Sequence, residues 1–407
     1  MSGEPDKFMK ETYLLREMPF AKKSPSSQLK FWVNREEELK YWKISIEKVV
    51  RSGQNQLQYI IGDYGMGKTM SLYKILDEFK LSNDVLCTYF NLKSESKYQG
   101  GLDFMLRLFA SIDLARIVKG RPLDDVKKSL DKIPSSSMFE EPRRILGLIF
   151  WNPLSMNESF DSNPQSPIRV GKGVAADFLR GTKLSVREKK SLGIRNDIND
   201  LEIAKYYLAA LLIFAKSLGH KAMVILVDEF EYLFQIVRKS EQSKYLALFR
   251  SIYDLPDEVN IHQELLTPLM VFFAVSQDGY NDLQNLEDRS QAGVPSPIAA
   301  LRRRTSKPTV LVGLDEKNTE SLIELRLRLN RVTNEIEENP LIPFDPDFVT
   351  FIHKSAQGVP AEIIDRCDHI MDIGVAKKVK RLNAEFARKA LEESGFLDKS
   401  NLTQNKS

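Results

Sequence analysis

Residues 60–76 read IIGDYGMGKTMSLYKIL. Gly62, Gly67, Lys68 and Thr69 stand at the spacing Gly-x-x-x-x-Gly-Lys-Thr, a full Walker A pattern. The chemistry this implies is phosphate binding. Glycines let successive backbone N–H groups turn inward around an anion. Lys68 supplies a point charge for β- and γ-oxygens, and Thr69 supplies a hydroxyl for Mg2+. The nucleotide loop is expected to comprise Gly62, Asp63, Tyr64, Gly65, Met66, Gly67, Lys68, Thr69 and Met70. The helical pattern that follows would present its positive N-terminal end to the same anion.

A second chemical segment is MVILVDEFEYL, residues 223–233. An apolar strand there delivers Asp228 to a sheet's carboxyl edge, where a carboxylate holds Mg2+. Glu229 follows, placed to polarise an attacking water. A protein that merely holds a nucleotide has no use for such a base, so Glu229 tilts the reading toward hydrolysis. Glu231 is expected to be a helix-start or surface charge rather than a third acid. In SQDGY, Ser276 and Gln277 would emerge beside the γ-phosphate, and either suits the task of holding the attacking water. Arg302, Arg303 and Arg304 precede the last apolar run, where a guanidinium offered to a neighbour's γ-phosphate would stabilise transition-state charge. A basic contact surface is the other reading of the same cluster.

These residues need a scaffold. Near-continuous apolar runs at 57–61, 85–92, 223–227, 269–275 and 309–314 predict five strands buried on both faces, hence a parallel sheet. Helical patterns separate them, which is α/β organisation. An arm, residues 1–33, carries the aromatic anchors Tyr13, Phe20, Phe31 and Trp32. Residues 34–315 form the expected ATPase domain, opened by a helix that Asn34 would cap, with Leu39, Trp42, Ile46 and Val49 on one face and Gly53 at its end. An insertion at about 118–200 has a loop-like centre, NPLSMNESFDSNPQSPIRVGKG. Residues 316–395 carry only helical patterns, and 396–407 form a polar tail.

Composition excludes several classes. The 407 residues carry 59 basic and 56 acidic side chains, a net +3 too even to argue for a nucleic-acid coat. Cys87 and Cys367 form neither a disulfide framework nor a metal spacing, which suits a reducing cytoplasm. The N-terminus lacks the apolar core of a signal peptide. The apolar stretch YYLAALLIFA, residues 206–215, is about half the length of a membrane span. His220, His262, His353 and His369 show no metal spacing. No Asn-Lys-x-Asp guanine motif is present, so ATP is the expected nucleotide.

With FWVNREEEL ahead of the core, GDYGMGKT, VILVDEFEYL, the polar residues after the fourth strand and RRR before the fifth, the chain resembles the AAA+ superfamily on its origin-recognition and STAND-like branch. QGVPAEIIDR and NAEFARKAL resemble that family's lid. The resemblance implies an AAA+-type parallel five-stranded sheet, order 5-1-4-3-2, flanked by helices and followed by an all-helical lid domain. It also implies Mg-ATP hydrolysis and a homo- or hetero-oligomer. VAADFLRGTKLSVREKKSLGI and the helix before GHKAMVILVDEFEYL are similar to BREX-type ATP-binding domain proteins, a group tied to prokaryotic anti-phage defence. By that resemblance Lys68 and Thr69 bind phosphate and Mg2+, Asp228 coordinates Mg2+, Glu229 is the base, Ser276 or Gln277 is a sensor, and one of Arg302, Arg303 and Arg304 is an arginine finger.

Two departures stand out. The lid's usual arginine is missing after Gly358-Val359-Pro360, where Ala361 and Glu362 follow. Arg366 sits about 140° further round a helix. Only sixteen residues follow Leu391, too few for the winged helix of origin-recognition relatives, so an initiator role is disfavoured. The leading expectation is a cytoplasmic ATPase with no membrane segment that switches or assembles a multi-protein, DNA-directed machine such as a defence complex. A slow-turnover STAND-like scaffold and a direct DNA-binding loader are the alternatives, the latter supported only by the three arginines, REKK (187–190) and KKVKR (377–381).

Overall fold

The structure, a computed structural model, describes residues 4–93, 101–151, 172–195, 197–232, 248–288, 305–332 and 339–396. The chain separates into two compact units. One combines Lys40–Ile61 with Leu72–Val310; the other combines Met1–Leu39, Gly62–Ser71 and Leu311–Ser407.

The first unit is built on a sheet of five parallel strands: β1 (Gln56–Ile61), β2 (Val85–Asn91), β3 (Ala222–Asp228), β4 (Leu269–Val275) and β5 (Thr309–Val310). Their order is β2-β3-β4-β1-β5, the 5-1-4-3-2 arrangement expected of an AAA+-type domain. Every residue of β3 and β4 is buried, which is why these strands read as unbroken apolar runs rather than alternating ones. On one face Tyr59, Phe230, Phe249 and Phe273 interlock, with ring centroids 4.5 Å apart for Phe230 and Phe273. The stretch 206–215 lies inside the helix Leu201–Ser217, whose side chains from Tyr207 to Ala215 are all buried. It is a core helix. No helix among the described residues is long and apolar enough to cross a membrane.

Around the insertion, the described helices Leu123–Leu130, Ser137–Phe150, Lys172–Leu179 and Val186–Leu192 place Val126, Ile145, Ile149, Phe178 and Leu192 in the same core. The loop-like centre lies largely at 152–171, outside the described residues.

Two expectations about boundaries need correction. β5 spans two residues, not 309–314. Thr309 is pinned in the sheet unit, its Oγ1 accepting from Trp42 Nε1 at 3.0 Å and Gln58 Nε2 at 3.2 Å. Beyond Val310 the backbone finds other partners: the Val312 carbonyl accepts from the Arg35 guanidinium, and Leu314 N donates to Gly358 O at 2.8 Å. Those bonds take the chain off the ladder. Asn34, in turn, does not occupy the cap conformation: its φ is +52°, and the helix runs Glu36–Ser52 with the Arg35 carbonyl accepting from Leu39 N at 2.9 Å. Gly53 ends that helix in the left-handed region, φ +66°, as expected.

The second unit is helical. Helices Glu316–Leu329, Pro346–Ala356, Pro360–Ala376 and Ala384–Glu393 share a core with the N-terminal arm. Tyr13, Leu15 and Phe20 are fully buried against Ile323, Phe344, Phe348 and Ile370. The Tyr13 hydroxyl donates to Val379 O at 2.6 Å, and buried Arg331 donates to the carbonyls of Tyr13, Pro340 and Ile342. Satisfied polar contacts of this kind keep the arm from being a loose tether.

Candidate nucleotide site

β1 ends at Ile61 and the chain enters the glycine loop. Gly65 and Gly67 have φ of +81° and +92°, which side chains rarely adopt. Gly65 is doubly constrained, because a Cβ there would lie 2.9 Å from Ala361 Cβ and 3.0 Å from Val359 Cγ1. Its carbonyl accepts from Ala361 N at 3.3 Å. At Gly67 a Cβ would meet nothing within 4 Å, so the loop opens there. Lys68 Nζ donates to Gly62 O at 2.8 Å and Asp63 O at 3.3 Å, folding the ammonium into the loop's own concavity. Lys68 and Thr69 begin the helix Lys68–Phe79. Tyr64 points outward, 90% exposed.

Beside the loop, in the same helical unit, is a cavity of about 450 Å³ lined among others by Phe31, Trp32, Met66, Met70, Leu314 and Ile364. Its walls are mostly apolar, with a few polar groups. Arg326, 3% exposed, stacks its guanidinium on the Phe31 ring at 4.3 Å and donates to Pro19 O at 3.1 Å and to Gln28 Oε1. Burial lowers its pKa to about 10, so it remains a cation. Trp32 Nε1 and Arg326 Nε are buried donors with no partner among the described residues. The sequence marked Phe31 and Trp32 as anchors but gave no sign of Arg326, which reads there as an ordinary basic residue near a helix end.

In the sheet unit, Asp228 closes β3 and is 1% exposed. Its Oδ1 accepts from Glu229 N at 3.0 Å, and its Oδ2 accepts from the Tyr89 hydroxyl at 2.9 Å. Burial, and then the Asp228 charge, push the Tyr89 phenol well up. Glu229 is half-buried with φ +55°, an uncommon conformation for a glutamate and one that collects at functional sites. β4 lies between β3 and β1, so Ser276 and Gln277 leave the carboxyl end of the strand flanked by those two. Ser276 Oγ accepts from Gly279 N at 3.1 Å, and Gln277 begins the helix Gln277–Asp288, its Nε2 donating to Asn281 Oδ1 at 3.1 Å.

Glu231 corrects half of an expectation: it stands just before helical Tyr232, as a helix-start charge would, but it is not on the surface. It is 7% exposed, and its Oε2 has no partner among the described residues. The close approach of Gly279, whose Cβ would fall 2.6 Å from Glu231 Cβ, seals it in. Arg302, Arg303 and Arg304 lie outside the described residues. Arg366 donates to Glu362 Oε2 at 3.2 Å. Members of the two basic runs are paired with acids: Lys189 with Asp197 at 2.6 Å, Lys377 with Glu393 at 2.9 Å, Arg381 with Asp345 at 3.7 Å. No group of three or more His, Cys, Asp or Glu that would hold a metal occurs among the described residues.

Residues 172–365 match the family of the BREX system ATP-binding protein BrxC/D. The match covers a little under half of the chain. It takes in β3, β4 and the helices up to Asp365, so the resemblance read in the Walker B segment holds. Among solved structures the chain is similar to the Thermotoga maritima RuvB Holliday junction branch migration motor, at 12% identity and a TM-score of 0.41, over 91% of this chain and 74% of that one. It is also similar to Cdc6p from Pyrobaculum aerophilum, at 13% and 0.44 over 95% and 70%. A third is the Aeropyrum pernix ORC2 protein, at 12% and 0.44 over 90% and 72%. The fold assignment rests on the strand order itself. No curated protein matches the chain.

Proposed function

We propose that the protein binds Mg-ATP at the glycine loop and hydrolyses it, as an AAA+ ATPase of a prokaryotic defence-type system. The observation that carries this is the loop itself: left-handed glycines, an ammonium drawn inside, and a neighbouring cavity of about 450 Å³. The residues fit the ligand. An apolar cavity with two buried, unpartnered donors suits a purine base and its sugar. The open side of Gly67 leaves room for phosphate. The Thr69 hydroxyl and Asp228 carboxylate are oxygen donors of the kind a hard divalent cation takes.

In this reading Lys68 neutralises β- and γ-oxygens, and Thr69 and Asp228 would hold Mg2+. When bound, the ion supplies further charge neutralisation at those oxygens. Glu229 accepts a proton from the attacking water, and Ser276 or Gln277 orients that water. One of Arg302, Arg303 and Arg304 reaches a neighbouring subunit's γ-phosphate. Cycles of binding and hydrolysis then switch or assemble a larger protein machine. Lys189, Lys377 and Arg381 are each paired with an acid, which weakens the two basic runs as support for a direct DNA-loading role.

The test separates holding from splitting. Lys68→Ala is expected to abolish binding of a fluorescent ATP analogue. Glu229→Gln is expected to bind it as the parent does while single-turnover hydrolysis falls about 10²- to 10⁴-fold. Full hydrolysis by Glu229→Gln would remove the base assignment, and full binding by Lys68→Ala would remove the loop.

A further inference from the structure

We propose that Tyr89 is a positioning residue for Asp228: its hydroxyl fixes how the carboxylate presents its oxygens, and so sets how tightly the divalent cation is held. The inference rests on the reading of Asp228 as the cation's ligand. In the β2–β3 register Tyr89 pairs with Leu226 and Asn91 with Asp228. Side chains of paired residues share a sheet face, and Leu226 and Asp228, two apart on one strand, share it too. Tyr89 is therefore the diagonal neighbour of Asp228, at the range where an aromatic side chain still reaches. The reach is realised, with the hydroxyl donating to Oδ2 at 2.9 Å.

The other oxygen, Oδ1, accepts from the Glu229 amide at 3.0 Å. With both oxygens engaged, rotation of the carboxylate about its own axis breaks one bond or the other. The Tyr89 ring is itself held, its centroid 4.6 Å from that of Tyr73, the planes at 41°. Tyr73 belongs to Lys68–Phe79, the helix that begins with Lys68 and Thr69. Tyr73 lies in the part of that helix that belongs to the sheet unit, so within this unit its ring braces Tyr89 and, through the hydroxyl, the orientation of the acid at the end of β3. A carboxylate has about four acceptor sites, so the hydroxyl and the amide can act on it together and fix its orientation.

A hydroxyl there purely to be satisfied would predict something different from one that positions a ligand. Tyr89→Phe keeps the ring against Tyr73 and removes only the donor. The experiment titrates a fluorescent ATP analogue onto the full chain in EDTA and then across a range of Mg2+, with Mn2+ binding followed by its paramagnetism. The expected result is unchanged nucleotide affinity in EDTA and a Mg2+ midpoint raised about tenfold, the low end of what loss of an outer contact costs a metal site. Tyr89→Leu, lacking the hydroxyl on a different apolar frame, is the second arm should the phenylalanine variant fold poorly. Asp228→Asn runs in parallel. If it has lost its Mg2+ response while the Tyr89 variants keep the parent's midpoint, the positioning role is overturned and Asp228 stands. If Asp228→Asn responds to Mg2+ as the parent does, the cation reading fails and the proposal falls with it.

Discussion

The glycine loop and the end of β3 are both short and both owe their chemistry to residue type, yet they are ordered by different means. In the loop, order is local. Lys68 bonds to carbonyls five and six residues back, and two glycines set the turn through their own dihedrals. At β3, order comes from afar: the hydroxyl that holds Asp228 belongs to a residue 139 positions earlier. Geometry stored in dihedrals travels with a short motif. Geometry stored in a contact between strands appears only when the sheet is assembled.

The largest expected effect lies in neither region. Alanine at the critical member of Arg302, Arg303 and Arg304 is expected to cut hydrolysis about 10³- to 10⁵-fold with little loss of ATP binding. Mixing that variant with Glu229→Gln should restore part of the rate, since some mixed interfaces pair an intact base with an intact arginine. Parent-like rates in all three single variants, with specific activity independent of protein concentration, would leave the cluster as a basic contact surface whose salt-sensitive DNA binding is then measured.

The comparison itself is sharpened at the glycines. Gly65→Ala meets both a left-handed φ and the side chains of Ala361 and Val359, whereas Gly67→Ala meets the φ alone. The first should cost nucleotide affinity about tenfold or more, with the second milder, in line with about 1–3 kcal/mol for a strained dihedral plus a clash. Equal losses would mean that dihedrals alone set the loop. A smaller effect is expected of Trp32→Phe, which keeps an aromatic side chain at the cavity wall but shortens it and removes the buried Nε1 donor: about a fivefold loss of ATP affinity, near 1 kcal/mol for one hydrogen bond. An unchanged affinity would take Trp32 Nε1 out of base recognition.

The smallest expected change is none at all. Burial pushes the Cys87 thiol up to about 12 and raises Cys367 as well. At pH 8 a thiol of pKa 12 is thiolate in about one molecule in 10⁴. Neither cysteine should react with a thiol reagent in the native protein, while both should in denaturant. Rapid native labelling of Cys87 would show that β2 opens, which would loosen the frame that holds Tyr89.

Much of this fold was legible because its signals are strong and local. Four of the five strands fall within a residue or so of the apolar runs, since buried parallel strands carry no alternation to misread. The fifth failed beyond Val310, where Arg35 and Gly358 compete for the backbone and no pattern in 309–314 announces them. Asn34 looked like a cap by residue type, yet its left-handed backbone withholds that role. Glu231 looked exposed by charge, but Gly279, far along the chain and on another element, packs against it. Among the site residues, types and spacing pointed to the loop and to Asp228. Gln28, Tyr89 and Arg326 could not be found that way, because what marks each is a partner distant in sequence.

The helical unit draws on three stretches of chain, and the whole of 72–310 is made between the second and the third. During synthesis, Tyr13, Leu15 and Phe20 therefore leave the ribosome long before the helices that bury them, and the bond from Tyr13 to Val379 closes a separation of 366 residues. The sheet unit has all its strands by Val310 and can collapse first. The glycine loop gains its contact with Ala361 only after residues 66–360, which lie between them, are made. A nascent chain should consequently be blind to nucleotide until Ala361 is made, with three exposed aromatic and aliphatic side chains in the meantime as handles for a chaperone.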